Sequence, residues 1–362
     1  MDIAIDGLAV SAFRVPTDAP ESDGTLEWDS TTLVVVHAAG GGKRGLGYTY
    51  ADTATAKLIA DKLAPLLEGR DALDVGARWM DMVRAIRNLG RPGICSMAIA
   101  AVDCALWDLK AKALDVPLAR LLGACRASVP VYGSGGFTSY SVERLCEQLS
   151  AWAGAAMRFV KMKVGRDAAS DVRRVSAARR AIGNATELFV DANGAYSRRL
   201  ALLQAERFAE HAVTWFEEPV SSDDLEGLRL LRDRAPAGVA ITAGEYGYDA
   251  PYFRRMLQAG AVDILQADAT RCAGVTGFME TSALCATYGL PFSSHCAPAL
   301  HLPLMCAAPQ AVHMEYFHDH ARIERMLFDG AMAPRQGLLS PDPGRPGFGI
   351  ELKEKDARCY SV

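Results

Sequence analysis

From residue 129 onward the chain repeats one pattern eight times: a short run rich in Val, Ile, Phe and Leu, then in most gaps a longer stretch with apolar residues three and four apart. The runs are 129–133, 158–164, 187–193, 213–218, 239–245, 262–268, 290–295 and 311–316. Helices are expected at 169–182, at 201–212, and in a shorter segment that opens on Pro251 and closes on Gly260. Parallel strands need such crossovers, and eight of them returning with one hand close a barrel.

The first 122 residues read differently, as an α+β cap. Two alternating runs, 3–13 and 31–39, are followed by a Gly40-Gly41-Gly42 turn, a third run at 46–50, and helical segments near 53–67 and 94–114. The stretch 16–30 is polar and contains Pro, Asp, Ser and Gly, which predicts a mobile surface loop able to act as a lid. The division expected is therefore a cap at 1–122, an α/β barrel of TIM-like (β/α)7β form at 123–330, and a tail at 331–362 that packs back on the cap.

Composition narrows the function. Thirty-nine Lys and Arg against 43 Asp and Glu leave a net charge of −4, with no basic stripe to displace phosphate counterions, so nucleic acid is not expected as a partner. No run reaches the ~18 apolar residues of a membrane span, and the acidic opening is unlike a signal peptide. Nine cysteines without a C-x-x-C encode neither a disulfide framework nor a zinc cluster. A cytoplasmic protein is expected.

In a barrel of this kind the active site forms where the strands end, so the polar residues closing each run decide the chemistry. In order these are Lys161 and Lys163, Asp191 and Asn193, Glu217 and Glu218, Glu245, Asp268, His295 and Glu315. From Lys163 onward one follows another at intervals of 20 to 28 residues, about one βα unit, which brings them to a single rim. Asp191, Glu217 and Glu245 make an oxygen-only ligand set suited to one hard cation per subunit, Mg²⁺, with Mn²⁺ as a substitute; a lysine counterion is the other way to neutralise them. Lys161 and Lys163, two apart on a strand, point to the same side. Mutual repulsion beside a divalent ion should lower a lysine pKa toward that of a general base. Asp268 can orient His295 as a second acid or base, and a protonated Glu315 could donate a hydrogen bond to developing charge. Gly40-Gly41-Gly42 suits a hairpin turn better than a phosphate cradle, and Ser293-Ser294-His295 lacks a nucleophile elbow.

These residues sit in motifs that together resemble the mandelate racemase subgroup of the enolase superfamily over nearly the whole chain. The motifs are AVDCALWDLKAK at 101–112, LLG at 121–123, K-x-K at 161–163, DAN at 191–193, FEEP at 216–219, GE at 244–245, Asp268 with GVTG at 274–277, and SSH at 293–295. The resemblance implies removal of the proton α to a carboxylate, with the enediolate stabilised by Mg²⁺. It implies Asp191, Glu217 and Glu245 as metal ligands, Lys163 as base, Lys161 as its neighbour on the carboxylate side, Asp268–His295 as second acid or base, and Glu315 as donor to the substrate carboxylate. Asn193 and Glu218 are further substrate contacts, and a symmetric homo-oligomer is implied. The segment after Asp268, ATRCAG, lacks a second expected Gly, and no lysine ends the sixth strand, unlike muconate cycloisomerases. The reaction expected is dehydration of an acid sugar (aldonate or aldarate) to a 2-keto-3-deoxy acid, the alternatives being a racemase, epimerase or cycloisomerase using the same bases. A Schiff-base aldolase would not explain three carboxylates, and a non-catalytic barrel would not keep a complete set. Specificity is expected from the 16–30 loop and Tyr48 in the cap, and from Tyr246 and Tyr248 after Glu245.

Overall fold

The computed structural model describes residues 2–362. Three antiparallel strands, β1 (Ile5–Ser22), β2 (Glu27–Gly40) and β3 (Lys43–Tyr50), form the cap sheet, with Gly41 and Gly42 turning β2 into β3. The sheet packs on the long helix Ile94–Ala113. Contact is close enough that a Cβ at Gly45 or Gly47 would meet helix backbone at 2.1 Å, so these two strand positions must be glycine.

Eight parallel strands follow: β4 (Val129–Gly135), β5 (Phe159–Lys163), β6 (Glu187–Asp191), β7 (Val213–Glu217), β8 (Ala240–Ala243), β9 (Ile264–Ala267), β10 (Phe292–Ser294) and β11 (Ala311–Phe317). They pair in sequence order, and β11 pairs back on β4 to close the barrel. A helix follows every strand, including His318–Leu327 after β11. Several are fixed by N-caps, with Ser141, Asp167, Ser197, Asp224 and Asp249 each accepting from a first-turn backbone N–H. The helix expected at 201–212 runs instead over Arg198–Ala209, because Ser197 caps it three residues earlier than the apolar pattern suggests.

The two-residue period of the strands sorts the barrel. Val160 and Met162 on β5, and Leu188 and Val190 on β6, join the core between barrel and helices. Their neighbours point inward. Low in the barrel, Tyr132, Phe189 and Trp215 form an aromatic plug, with Phe189 stacked on Trp215 at 5.0 Å. Above the plug the inward residues change to Lys, Asp and Glu. Strand register puts Lys163 beside Asp191 and Asp191 beside Glu217.

Residues 16–30 are not a loop. They extend β1 and β2 into a hairpin paired Pro16 to Ser30 and, past a bulge, Glu21 to Trp28. Its turn is tied by Asp23, whose Oδ1 accepts from the N–H groups of Thr25 and Leu26. Its tip is pinned to the barrel, where Thr138 N–H donates to Ser22 O and Thr138 Oγ1 to Asp23 O. At Gly24 a Cβ would lie 2.5 Å from Ala192 O and 2.8 Å from Val164 O. A mobile lid is therefore the wrong picture; docking on the barrel overrides the low strand propensity of this sequence. After His318–Leu327 the chain adds Leu338–Leu339 to the edge of β4 and pairs Glu351–Leu352 with Phe328–Asp329. It meets the cap where Phe348 N–H donates to Asp108 and Val362 N–H to Ala12 O.

Candidate active site

Asp191, Glu217 and Glu245 place one carboxylate oxygen each within 4.8 Å of one another, all buried. Lys161, fully buried, donates to both oxygens of Glu217 at 2.7 Å and lies 2.8 Å from Glu315 Oε1 and 3.5 Å from Asp191. Lys163 donates to Asp191 Oδ2 at 2.5 Å. Burial alone would lower both lysine pKa values, but the surrounding carboxylates outweigh it and hold both above the usual range. The expected downward shift is absent from the protein's own groups. Mutual repulsion of the two ammonium groups is the smaller effect when each has a carboxylate within 3 Å.

Six buried carboxylates, Asp191, Glu217, Glu218, Glu245, Asp268 and Glu315, face three permanent cations, Lys161, Lys163 and Arg271. Burial and the closeness of Asp191 push Glu217 well up, whereas the two lysines hold Asp191 down despite its burial. Glu245 Oε2 has no hydrogen-bond partner, and neither do Glu218 Oε1 and Asn193 Oδ1. The lysines thus neutralise part of the cluster and leave oxygens unpaired. This excess of negative charge and the all-oxygen donor set fit a hard dication held by Asp191, Glu217 and Glu245.

Across the rim, His295 Nδ1 donates to Asp268 Oδ2 at 2.8 Å. Asp268 also accepts from the N–H and hydroxyl of Thr270; burial alone would raise its pKa, but the hydrogen bond from His295 and the nearby basic groups His295, His301 and Arg271 hold it below the carboxylate range. The ring is thereby oriented with Nε2 toward the cavity, 3.5 Å from Glu245 Oε2. The Cys296 thiol meets Nε2 at 3.2 Å, because Cys296 and Ala297 take left-handed backbone (φ 53° and 38°) and turn the side chain back along the imidazole. Glu315 is not a protonated donor. It accepts from Ser134 Oγ at 2.6 Å and from Cys296 N–H at 2.8 Å, and Lys161, His295 and Lys163 keep it ionised against the effect of burial.

These groups open into a cavity of about 410 Å³, within the usual range for small-molecule sites. Lys163, Asn193, Glu245, Tyr246, His295 and Glu315 line its floor. Lys161 and Glu218 lie beneath the lining; Glu218 is held at φ 38° and raised in pKa by burial and by Glu245. Tyr48 does not reach the cavity. It is buried in the cap, donates its hydroxyl to Glu324 at 2.6 Å, and leaves the wall to Tyr50, two residues further along β3. Tyr248 lines a separate depression with Tyr246.

Several lining residues have no counterpart in the sequence reading. Arg271 follows Asp268 in the loop after β9 and contacts Glu245 Oε1 at 3.2 Å and the Tyr246 ring at 5.0 Å. Its position in ATRCAG, directly after a strand-end acid, is the signal that could have found it. His320 stacks on Tyr50 at 3.5 Å, and Trp28 reaches the cavity from the hairpin with its indole N–H bonded to Glu21.

Residues 10–123 match the mandelate racemase / muconate lactonizing enzyme N-terminal domain, and residues 142–357 match the enolase C-terminal domain-like family. The chain is 32% identical to the L-talarate/galactarate dehydratase of Salmonella typhimurium, covering 98% of this chain and 90% of that one. A crystal structure of a single-substitution variant of L-talarate/galactarate dehydratase liganded with Mg and L-glucarate superposes with a TM-score of 0.91 at 28% identity, covering 100% and 93% of the two chains. The 3,6-anhydro-alpha-L-galactonate cycloisomerase of Streptomyces coelicolor is 32% identical, with 96% and 97% covered. A mandelate racemase/muconate lactonizing enzyme-like protein from Rubrobacter xylanophilus superposes with a TM-score of 0.97 at 56% identity, with 99% and 100% covered. The fold of cap and barrel is thus shared along nearly the whole chain, and the chain belongs to the mandelate racemase / muconate lactonizing enzyme family of the enolase superfamily.

Proposed function

We propose that the protein is a Mg²⁺-dependent acid-sugar dehydratase converting a 2,3-dihydroxy acid to a 2-keto-3-deoxy acid. The observation carrying this reading is that two groups able to move protons, Lys163 and the Asp268–His295 pair, face one cavity from different sides of a carboxylate cluster suited to a dication. Asp191, Glu217 and Glu245 would hold Mg²⁺, which when bound supplies positive charge to oppose the charge that builds on the substrate carboxylate as its α proton leaves.

The chain's own residues do the rest. Lys163 donates to Asp191, and this ion pair keeps the lysine charged; with Asp191 engaged as a metal ligand the pair would be weaker and Lys163 better able to give up its proton. Lys163 or His295 then takes the C2 proton at Nζ or Nε2. Protonated His295 gives a proton from Nε2 to the departing C3 hydroxyl, releasing water, while Asp268 stabilises the imidazolium through Nδ1. Lys161 and Glu315 fix one another beneath the substrate carboxylate, and the hairpin over the mouth excludes water.

The second reading is a cycloisomerase, favoured by the Streptomyces relative, which is as similar as the dehydratase. Its chemistry needs the same proton removal but expels a ring or lactone oxygen instead of hydroxide. A panel of acid sugars with Mg²⁺ in D₂O separates the readings: the dehydratase yields 2-keto acid detectable with semicarbazide, the cycloisomerase a ring-opened or ring-closed isomer. Deuterium at C2 with neither product would point to a racemase or epimerase. We place the enzyme in the cytoplasm, where its nine free thiols suit a reducing compartment, and assemble it as a homo-oligomer, as the family resemblance suggests.

A further inference from the structure

A substrate standing on the barrel floor passes from one charge environment to another as it rises toward the hairpin. Lys163 and Arg271 lie at the floor, already engaged by Asp191 and Glu245. The cap contributes Asp23 and Asp52 to the lining, with Trp28, Thr31 and Tyr50, and no Lys or Arg of the described cap residues lines the cavity. Behind this roof, burial and the neighbouring Asp319 push the Glu21 carboxyl up to about 8, so it is uncharged at neutral pH and brings no positive charge to the roof.

The cations nearest the roof are committed elsewhere. Arg322 pairs with Asp319 and donates to Pro16 O, Arg166 pairs with Glu27, and Arg144 lies 3.6 Å from Asp18. His320, the remaining basic group on the wall, accepts from Ala297 N–H at Nδ1, and burial pushes its pKa down to about 3, so it is neutral. It can offer Nε2–H to a hydroxyl but no charge to an anion. A second carboxylate placed here would lose its water and meet carboxylates, whereas hydroxyls would find acceptors in Asp23 and Asp52 and rest carbon faces on Trp28 and Tyr50.

We propose that the substrate carries a single carboxylate, bound at the floor, and a neutral polyhydroxyl tail under the hairpin: an aldonate rather than an aldarate. This rests on the acid-sugar reading above. It is tested with matched pairs of one configuration, gluconate against glucarate and galactonate against galactarate, with Mg²⁺ in D₂O. Keto-acid formation, C2–H exchange and the Mg²⁺-dependent thermal shift with each acid are followed.

The aldonate of a productive pair is expected to exceed its aldarate at least about tenfold in kcat/KM, and Asp52→Asn to narrow that ratio severalfold. An aldarate processed as fast as its aldonate, or a ratio unmoved by Asp52→Asn, overturns the proposal. If no acid gives keto acid but aldonates exchange C2–H faster, dehydration fails and the selectivity stands. If nothing turns over, the thermal shifts decide: shifts for aldarates equal to or larger than those for aldonates overturn it.

Discussion

The floor and the roof of the cavity are built by different rules. The floor is an ionic layer at the ends of parallel strands, where register sets Lys163 beside Asp191 and Asp191 beside Glu217, and the lysines neutralise part of a buried carboxylate cluster that suits a hard dication. The roof is an antiparallel hairpin carrying an indole and an acid, docked on the barrel through Thr138, joined by the phenol ring of Tyr50 at the end of β3 and by Asp52 just beyond it. A floor of this kind serves one type of chemistry, while a roof of this kind selects which molecule receives it.

The contrast should show first in turnover. His295→Asn keeps the ring's approximate shape but not its proton, and is expected to lower kcat at least about 10³-fold while the melting temperature stays within a few degrees. A residual rate above a tenth of the parent would remove His295 from the chemistry. Next, Glu245→Gln should weaken the Mg²⁺ dependence of both activity and thermal stability by about 100-fold in half-saturating concentration. An unchanged Mg²⁺ titration would take Glu245 out of the ligand set.

Roof changes should act differently. Trp28→Ala is expected to raise KM about tenfold with a smaller change in kcat, the signature of lost binding common to ground and transition states. A kcat loss as large as that of His295→Asn would erase the distinction between roof and floor. Gly24→Ala, whose Cβ would press on Ala192 O, should cost about 1–3 kcal/mol and lift the hairpin tip, read as a lower melting temperature.

The smallest effect is a pH dependence. Burial and Asp319 push the Glu21 carboxyl to about 8, above its value of about 4.5 in the unfolded chain. The unfolded chain therefore loses this proton before the folded one, so Glu21 makes stability fall as pH rises from about 4.5 to about 8. Glu21→Gln should flatten that part of the melting-temperature profile; an identical slope would mean that Glu21 is ionised under the roof.

The floor was legible because its geometry follows from periods. A period of two decides which side of a strand faces inward, the βα repeat decides that strand ends converge, and both can be read from residues 129–316. The eight strands and the floor-lining positions of Lys163, Asn193, Glu245, His295 and Glu315 follow from them. The roof had no such rule. Residues 16–30 lack strand-forming composition and pair only because the barrel offers them a dock, and Tyr50 replaces Tyr48 at the wall because Tyr48 is buried with its hydroxyl on Glu324. Protonation was the other gap. Residue types cannot say that Glu315 receives three donors or that each lysine has its own carboxylate, and these contacts reverse the expected charge states.

The aromatic plug of Tyr132, Phe189 and Trp215 closes the barrel from below while the hairpin covers it above, so a hydrogen taken from the substrate exchanges with bulk water only through the cavity mouth. The two bases then keep different isotopic memories. A lysine nitrogen scrambles the captured hydrogen among three equivalent positions by simple rotation, whereas an imidazole nitrogen holds one hydrogen and returns that same atom. Label washed in from D₂O should therefore be diluted on the Lys163 side and all-or-none on the His295 side, so the isotope pattern at C2 names the base that was used.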